Sequence, residues 1–258
     1  MKRRLLKYSI LIFAIACTLI LAYAYAHDIY INNQNNVNPE YLINNHPNKG
    51  YFKIESEKIL PSLTQGDTDV FAPLLQEPDL VEPLENASFS WTQGDFLKIA
   101  SALGLSVWND PMSKEDWNIS NIIFGTICQE NPIGFHFAAI TYFKEIETNG
   151  KRLYVTRHIE IDPYYSMIRW GGGATYPRPI MSKWKSFDLA QFRITAEDAL
   201  QIADNHGGKE ARQKVGDGCL IYVSPTINNK WFIDYGLAYY AMLIDPYNGS
   251  YEIFNTNQ

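Results

Sequence analysis

Five histidines and two acidic turns are the side chains most able to do chemistry in this chain, and their spacing decides whether they can act together. His27 and His46 lie in an Asn-rich stretch, His136 and His158 in strand-like runs, and His206 at the end of a helical run. None of the spacings H-E-x-x-H, G-x-S-x-G or C-x-x-C occurs, so the common zinc, serine-nucleophile and redox signatures are missing. Each histidine reads as a surface or boundary side chain rather than a ligand. Asp162 and Asp245 with a histidine could hold a metal, but each precedes a proline, and Asp-Pro starts turns. No catalytic, metal or cofactor set is expected. A hydrolytic site between two halves of the chain would have to draw on His136, Glu160 or Asp162.

The cysteines and aromatics carry a different expectation. Cys128 and Cys219 each fall early in the strands that follow a helical run, and they either form a disulfide or are separately buried thiols. A bridge between them would close a loop of about 90 residues and be worth about 2–4 kcal/mol. Cys17 falls in an apolar N-terminal run and should not take part. Trp170, Tyr176, Trp184 and Phe187 crowd one region, interleaved with Arg169, Arg178, Lys183 and Lys185. Such a mixture suits a sugar, a peptide or an anionic polymer, which makes Trp170, Tyr176 and Trp184 candidate contact residues. Packing between two halves of the chain accounts for them better.

The elements that would position these groups come in two sets. The stretch TQGDFLKIASALG (92–104) is echoed by TAEDALQIADNHG (195–207), with Thr, Asp, Leu, Ile, Ala and Gly recurring in place. Thr92 with Asp95, and Thr195 with Asp198, have the capping spacing that opens a helix. Phe96, Ile99, Ala100, Leu103 and Val107 then form one apolar face, as do Ala199, Ile202, Ala203 and His206. Gly104 weakens the last turn of the first helix, which ends there or runs on to Trp108, and Gly207–Gly208 is a stop signal for the second. Strand-like runs follow each helix: 119–128, 135–148, 151–161 and 166–170, then 219–223, 230–235, 239–245 and 251–254. Asn149-Gly150 predicts a two-residue turn that pairs Thr148 with Lys151, Tyr142 with Arg157 and Ala138 with Ile161. Gly171–Gly173 and the prolines after it read as a connection, without phosphate-loop spacing. Ile-Asp-Pro-Tyr occurs in both halves, at 161–164 and 244–247.

Ahead of these elements the composition changes twice. Lys2, Arg3, Arg4 and Lys7 precede the uncharged run 8–26, which is close to the ~20 residues that span a bilayer. It reads as an uncleaved anchor, as a signal peptide cut after Ala26, or as a lipoprotein signal ending at Cys17. All three place the remainder outside the cytoplasm, either membrane-anchored or secreted. Residues 27–88 are rich in Asn and Pro and read as a disordered linker, averaging roughly 40–45 Å end to end if flexible. Without the four N-terminal cations, eighteen basic side chains face twenty-eight acidic ones, so a nucleic-acid partner is not expected.

The second helix with its strands, ITAEDALQIA (194–203) through LIDPYNG (243–249), resembles the PepSY domain, whose pattern opens with I-T-x-x-x-A-x-x-I-A and ends in D-x-x-T-G. The resemblance covers about 190–258, departs from the pattern at Asn248, and extends to about 89–170 only through the internal repeat. It implies an α+β fold of two tandem modules, at 89–188 and 189–258. Each would be a helix packed on an antiparallel sheet of PepSY or cystatin-like type. It further implies a non-catalytic extracytoplasmic module that restrains or senses a peptidase or an envelope protein, without cofactor. The alternatives are a hydrolase with a site between the modules, and a binder of cell-wall glycan through exposed aromatics.

Overall fold

The computed structural model describes residues 49–67, 69–71, 74–75, 90–112, 116–127, 134–148, 151–175, 185–215, 219–236 and 240–255. Two helices open with the capping box expected of them. In α1 (Ser56–Thr64) no side chain caps the start, but α2 (Gln93–Trp108) begins at Thr92 and α3 (Ala196–Ala203) at Thr195. In both, the threonine hydroxyl accepts from the third helical N–H, while that residue's aspartate accepts from the threonine N–H. Of the two ends expected for α2 the longer is found: it runs past Gly104 to Trp108 and turns at left-handed Asn109. Beyond α3, left-handed Gly207 (φ 116°) breaks the helix, and a short helix α4 (Lys209–Val215) resumes after it.

Ten strands are described: β1 (Lys49–Lys53), β2 (Leu74–Leu75), β3 (Asn118–Ile127), β4 (Phe137–Thr148), β5 (Lys151–Asp162), β6 (Met167–Thr175), β7 (Leu220–Pro225), β8 (Trp231–Asp234), β9 (Tyr240–Ile244) and β10 (Tyr251–Asn255). They form one antiparallel sheet in the order β10-β9-β8-β7-β3-β4-β5-β6-β1-β2. The fold class is therefore α+β. The β4–β5 register is the one that Asn149-Gly150 predicts, from Thr148 opposite Lys151 to Ala138 opposite Ile161. Each of α2 and α3 is followed by strands that run as a meander, and the two meanders join through their first strands, Phe124 opposite Val223 and Ile127 opposite Leu220.

The helices sit on one face of the sheet. Ring contacts tie α2 to that face at both ends, Phe96 on Phe124 and Trp108 on Trp170. The Trp231 indole donates to Ile194 O just ahead of α3, and the Tyr235 hydroxyl donates to Asp204 just after it. Phe96, Ile99, Leu103, Ile122, Phe124, Ile140, Ile159, Trp231 and Ile233 are wholly buried between the layers. Each such side chain contributes about 1.5–3 kcal/mol by leaving water. A buried cation belongs to this face. The Arg157 guanidinium lies 4.7 Å from the Trp108 ring centre and 4.2 Å from that of Trp117, and pairs with Asp110 at 3.2 Å. Trp117 also donates to Asp110, so the end of α2 is held to β5 by a charge sandwiched between rings.

Three expectations need correction. The linker expected over 27–88 is ordered in part: β1 pairs with β6, Ser56 donates to Pro163 O, and Phe52 packs on Phe71 and Trp170. Its apolar residues are few but well placed, since Phe52, Ile54, Ile59 and Phe71 are all buried. Residues 27–48 and 76–88, with the segment 1–26, lie outside the described residues. Gly171–Gly173 is not a connection but the middle of β6, paired with His158, Arg157 and Thr156. Trp170 is not an exposed contact residue: it is 3% accessible, because its ring lies over Gly50, where a Cβ would come within 2.5 Å.

Candidate binding face at the seam

Strand alternation gives the sheet a second face that no described helix covers. At the seam its centre is Gly125, which pairs with Phe137 on one side and Tyr222 on the other. A Cβ on Gly125 would lie 1.8 Å from Phe137 Cε1, so the ring lies across the glycine and meets Tyr222 edge-on, centroids 5.9 Å apart. Around this pair Ile127 (38%), Leu220 (38%) and Tyr222 (36%) are accessible. Farther along the same face, Phe254 of β10 is exposed too. At the seam itself Ile127, Leu220 and Tyr222 are contiguous and open to water.

A polar row continues the face across β4, β5 and β6. Thr141 Oγ1 lies 3.0 Å from His158 Nδ1, His158 Nε2 lies 3.0 Å from Glu160 Oε1, and Arg169 donates to Glu160 Oε2 at 3.4 Å. Gly171 and Gly173 stand beside His158 and Thr156. The order hydroxyl, imidazole, carboxylate matches a nucleophile relay in connectivity. Its setting does not suit that chemistry. Thr141 sits mid-ladder between β3 and β5, where backbone N–H groups are spent on sheet bonds rather than turned toward an oxyanion. The row can recognise polar groups on a ligand.

The residues that a hydrolytic site would need are not brought together. Glu160 and Asp162 belong to the open face, whereas His136 bonds Thr126 at 2.8 Å, on the helix-covered face. The Ile127 N–H donates to His136 Nδ1, so that nitrogen acts as an acceptor, and burial holds the imidazole below its ordinary pKa. Asp162 and Asp245 are turn formers at corresponding places, between the third and fourth strands of each meander. Asp162 accepts from Tyr165 N–H and Asp245 from Tyr247 N–H. Burial raises the pKa of Asp162, with its two backbone hydrogen bonds and Arg169 acting the other way. Among the described residues no group of three His, Cys, Asp or Glu side chains is placed to hold a metal.

Tyr176 and Trp184 lie outside the described residues, as does Cys128. Cys219 is disulfide-bonded and buried. Sequence reasoning missed Phe137 and Tyr222 as a pair, because only the β3–β7 contact brings them together; Gly125 inside a strand was the available signal. Among the described residues no helix is long and apolar enough to cross a membrane. No protein-family model, curated protein or solved structure matches the chain.

Proposed function

We propose that the chain is a non-catalytic protein-binding module working outside the cytoplasm, and that the open face at the seam is where it binds. The observation that carries this is the cluster Ile127, Phe137, Leu220 and Tyr222, presented by backbone on both sides of the β3–β7 junction. An apolar centre with a polar row beside it is the composition of a protein contact. The finer reading is a tandem pair of PepSY-like units, joined through their first strands. Three correspondences support it: the matched capping boxes, the Asp turns after β5 and β9, and the exchange between helix starts. In that exchange the Gln93 side chain accepts from Ala196 N–H, and Glu197 accepts from Gln93 N–H. A disulfide at Cys219 fits an oxidising compartment, as the basic-then-apolar N-terminus does. A restrained or sensed peptidase is the partner class that the PepSY resemblance suggests.

A photo-crosslinking residue at Tyr222 in the full chain tests this in intact cells, with Glu210 on the helix side as control. A defined protein adduct at 222 and none at 210 is expected. Equal labelling at the two sites would sink the binding face. Turnover of a peptide or ester library by the purified chain, lost in His158→Gln, would replace the reading by a hydrolase.

A further inference from the structure

The sheet ends at β10, and the polarity of that edge can be worked out from two hydrogen bonds. Asp245 N–H donates to Ser250 O, and Tyr235 N–H donates to Tyr240 O. Within the observed registers, Tyr251 opposite Ile244 and Trp231 opposite Ile244, these fix which residues bond which neighbour. Residues 240, 242 and 244 bond toward β8, and 241 and 243 bond toward 254 and 252. The N–H and C=O groups of Tyr251, Ile253 and Asn255 are thereby turned outward, and among the described residues nothing pairs with them. The strand also exposes Tyr251, Ile253 and Phe254 at 42–43%. An uncovered edge of this kind is a template for another strand.

We infer that β10 pairs antiparallel with β10 of a second copy of this chain, Ile253 opposite Ile253, continuing the sheet through a twofold axis. A second copy suits this edge because the strand is complementary to itself in one register. With Ile253 at the centre, Tyr251 meets Asn255 of the other copy, and all three outward N–H and all three outward C=O groups on each chain are bonded. Centring on Glu252 or Phe254 instead leaves one residue's pair of groups unbonded within the strand. Centring on Glu252 also sets two carboxylates directly opposite, which is destabilising. In the chosen register Glu252 faces Phe254 and keeps its ion pair with Lys230 on its own chain. A one-residue slip would set a residue of the helix-covered face opposite one of the open face. The molecule already makes a slightly shorter junction once, four residue pairs between β3 and β7 against five here. This concerns the edge of the sheet and stands apart from the open-face reading.

Cysteine pairs in the full chain test it. Residues opposite in a hydrogen-bonded pair have Cα atoms about 5.5 Å apart, within disulfide range. Ile253→Cys should give a covalent dimer whose linked peptide joins 253 to 253, at several-fold the yield of Glu252→Cys or Phe254→Cys alone. Co-expressed Glu252→Cys and Phe254→Cys chains should cross-link to each other. Ile253→Pro should abolish dimerisation while leaving the circular dichroism melt unchanged, since that N–H points away from β9. Cross-linking no better at 253 than at 252, or capture of a different protein at 253, overturns the inference. So does a dimer that survives Ile253→Pro.

Discussion

Replacing Gly208 by alanine sets a local preference against a tertiary contact, and the two predict opposite signs. Gly208 follows left-handed Gly207 and leads directly into α4, and it stays outside the left-handed region itself. Helix propensity alone therefore favours alanine there by about 0.8–1 kcal/mol. The surroundings say otherwise. A Cβ would lie 2.2 Å from Tyr235 Oη, 2.5 Å from its Cζ and 2.9 Å from Ala203 O. Tyr235 is fully buried and cannot swing into solvent. Its hydroxyl donates at 2.7 Å to Asp204, a buried carboxylate that also accepts from Arg212 at 2.7 Å. Moving the ring forfeits a hydrogen bond to a charged group, about 1.5–3 kcal/mol, and overpacks the site by about 1–3 kcal/mol. After the propensity gain, Gly208→Ala should destabilise the protein by about 1.5–5 kcal/mol. Equilibrium urea unfolding reads this as a lower midpoint at unchanged slope, and the melt should fall by about 3–20 °C. Gly94→Ala is the control: its Cβ meets only Thr92 Oγ1 at 3.6 Å, an ordinary contact, so it should be neutral or stabilising by up to about 1 kcal/mol. Removing the hydroxyl in Tyr235→Phe should make the double variant better than additive by about 1 kcal/mol or more. A Gly208→Ala protein as stable as its parent, or strict additivity with Tyr235→Phe, would refute the packing argument.

Two further perturbations follow from the same geometry. Asp162 has its folded pKa raised by burial, so its favourable contribution is fully present below about pH 3.9 and is lost as pH climbs through the folded value. Asp162→Asn keeps an acceptor for Tyr165 N–H, and its stability advantage over the parent should be absent near pH 3 and present at pH 7; a pH-independent difference contradicts this. Cys219 is disulfide-bonded, and in the sequence Cys128 and Cys219 are the residues next to Ile127 and Leu220, the last pair of the β3–β7 junction. A non-reduced digest should yield a peptide pair joining Cys128 to Cys219, and reduction should cost about 2–4 kcal/mol in urea unfolding. A pair joining Cys219 to any other residue refutes that assignment.

The features legible in the chain are those decided within a few residues. The capping boxes at Thr92 and Thr195 depend on a side chain reaching the third helical N–H, so spacing alone specifies them. The β4–β5 register depends on a two-residue turn, and one turn then aligns every pair up to Ala138–Ile161. The strands of both meanders were visible for the same reason, as runs of β-branched and aromatic residues bounded by turns.

Tertiary structure decided what no local rule contains. Whether 49–53 is tether or strand depends on the free edge of β6, more than a hundred residues away in the chain. Gly171–Gly173 is a strand because β5 pairs with all three and β1 with Gly171, not because glycine prefers to be one. Trp170 is core rather than surface because Gly50 makes room for its ring. The candidate face exists only because β3 meets β7, which sets Phe137 and Tyr222 on either side of Gly125. The sequence by itself determined the starts of α2 and α3, most of the strands that follow them and the hairpin register, since each rests on contacts close along the chain. Only the fold decided which strand edges meet and which face the described helices leave uncovered, because those rest on pairings between distant segments that propensity and spacing do not encode.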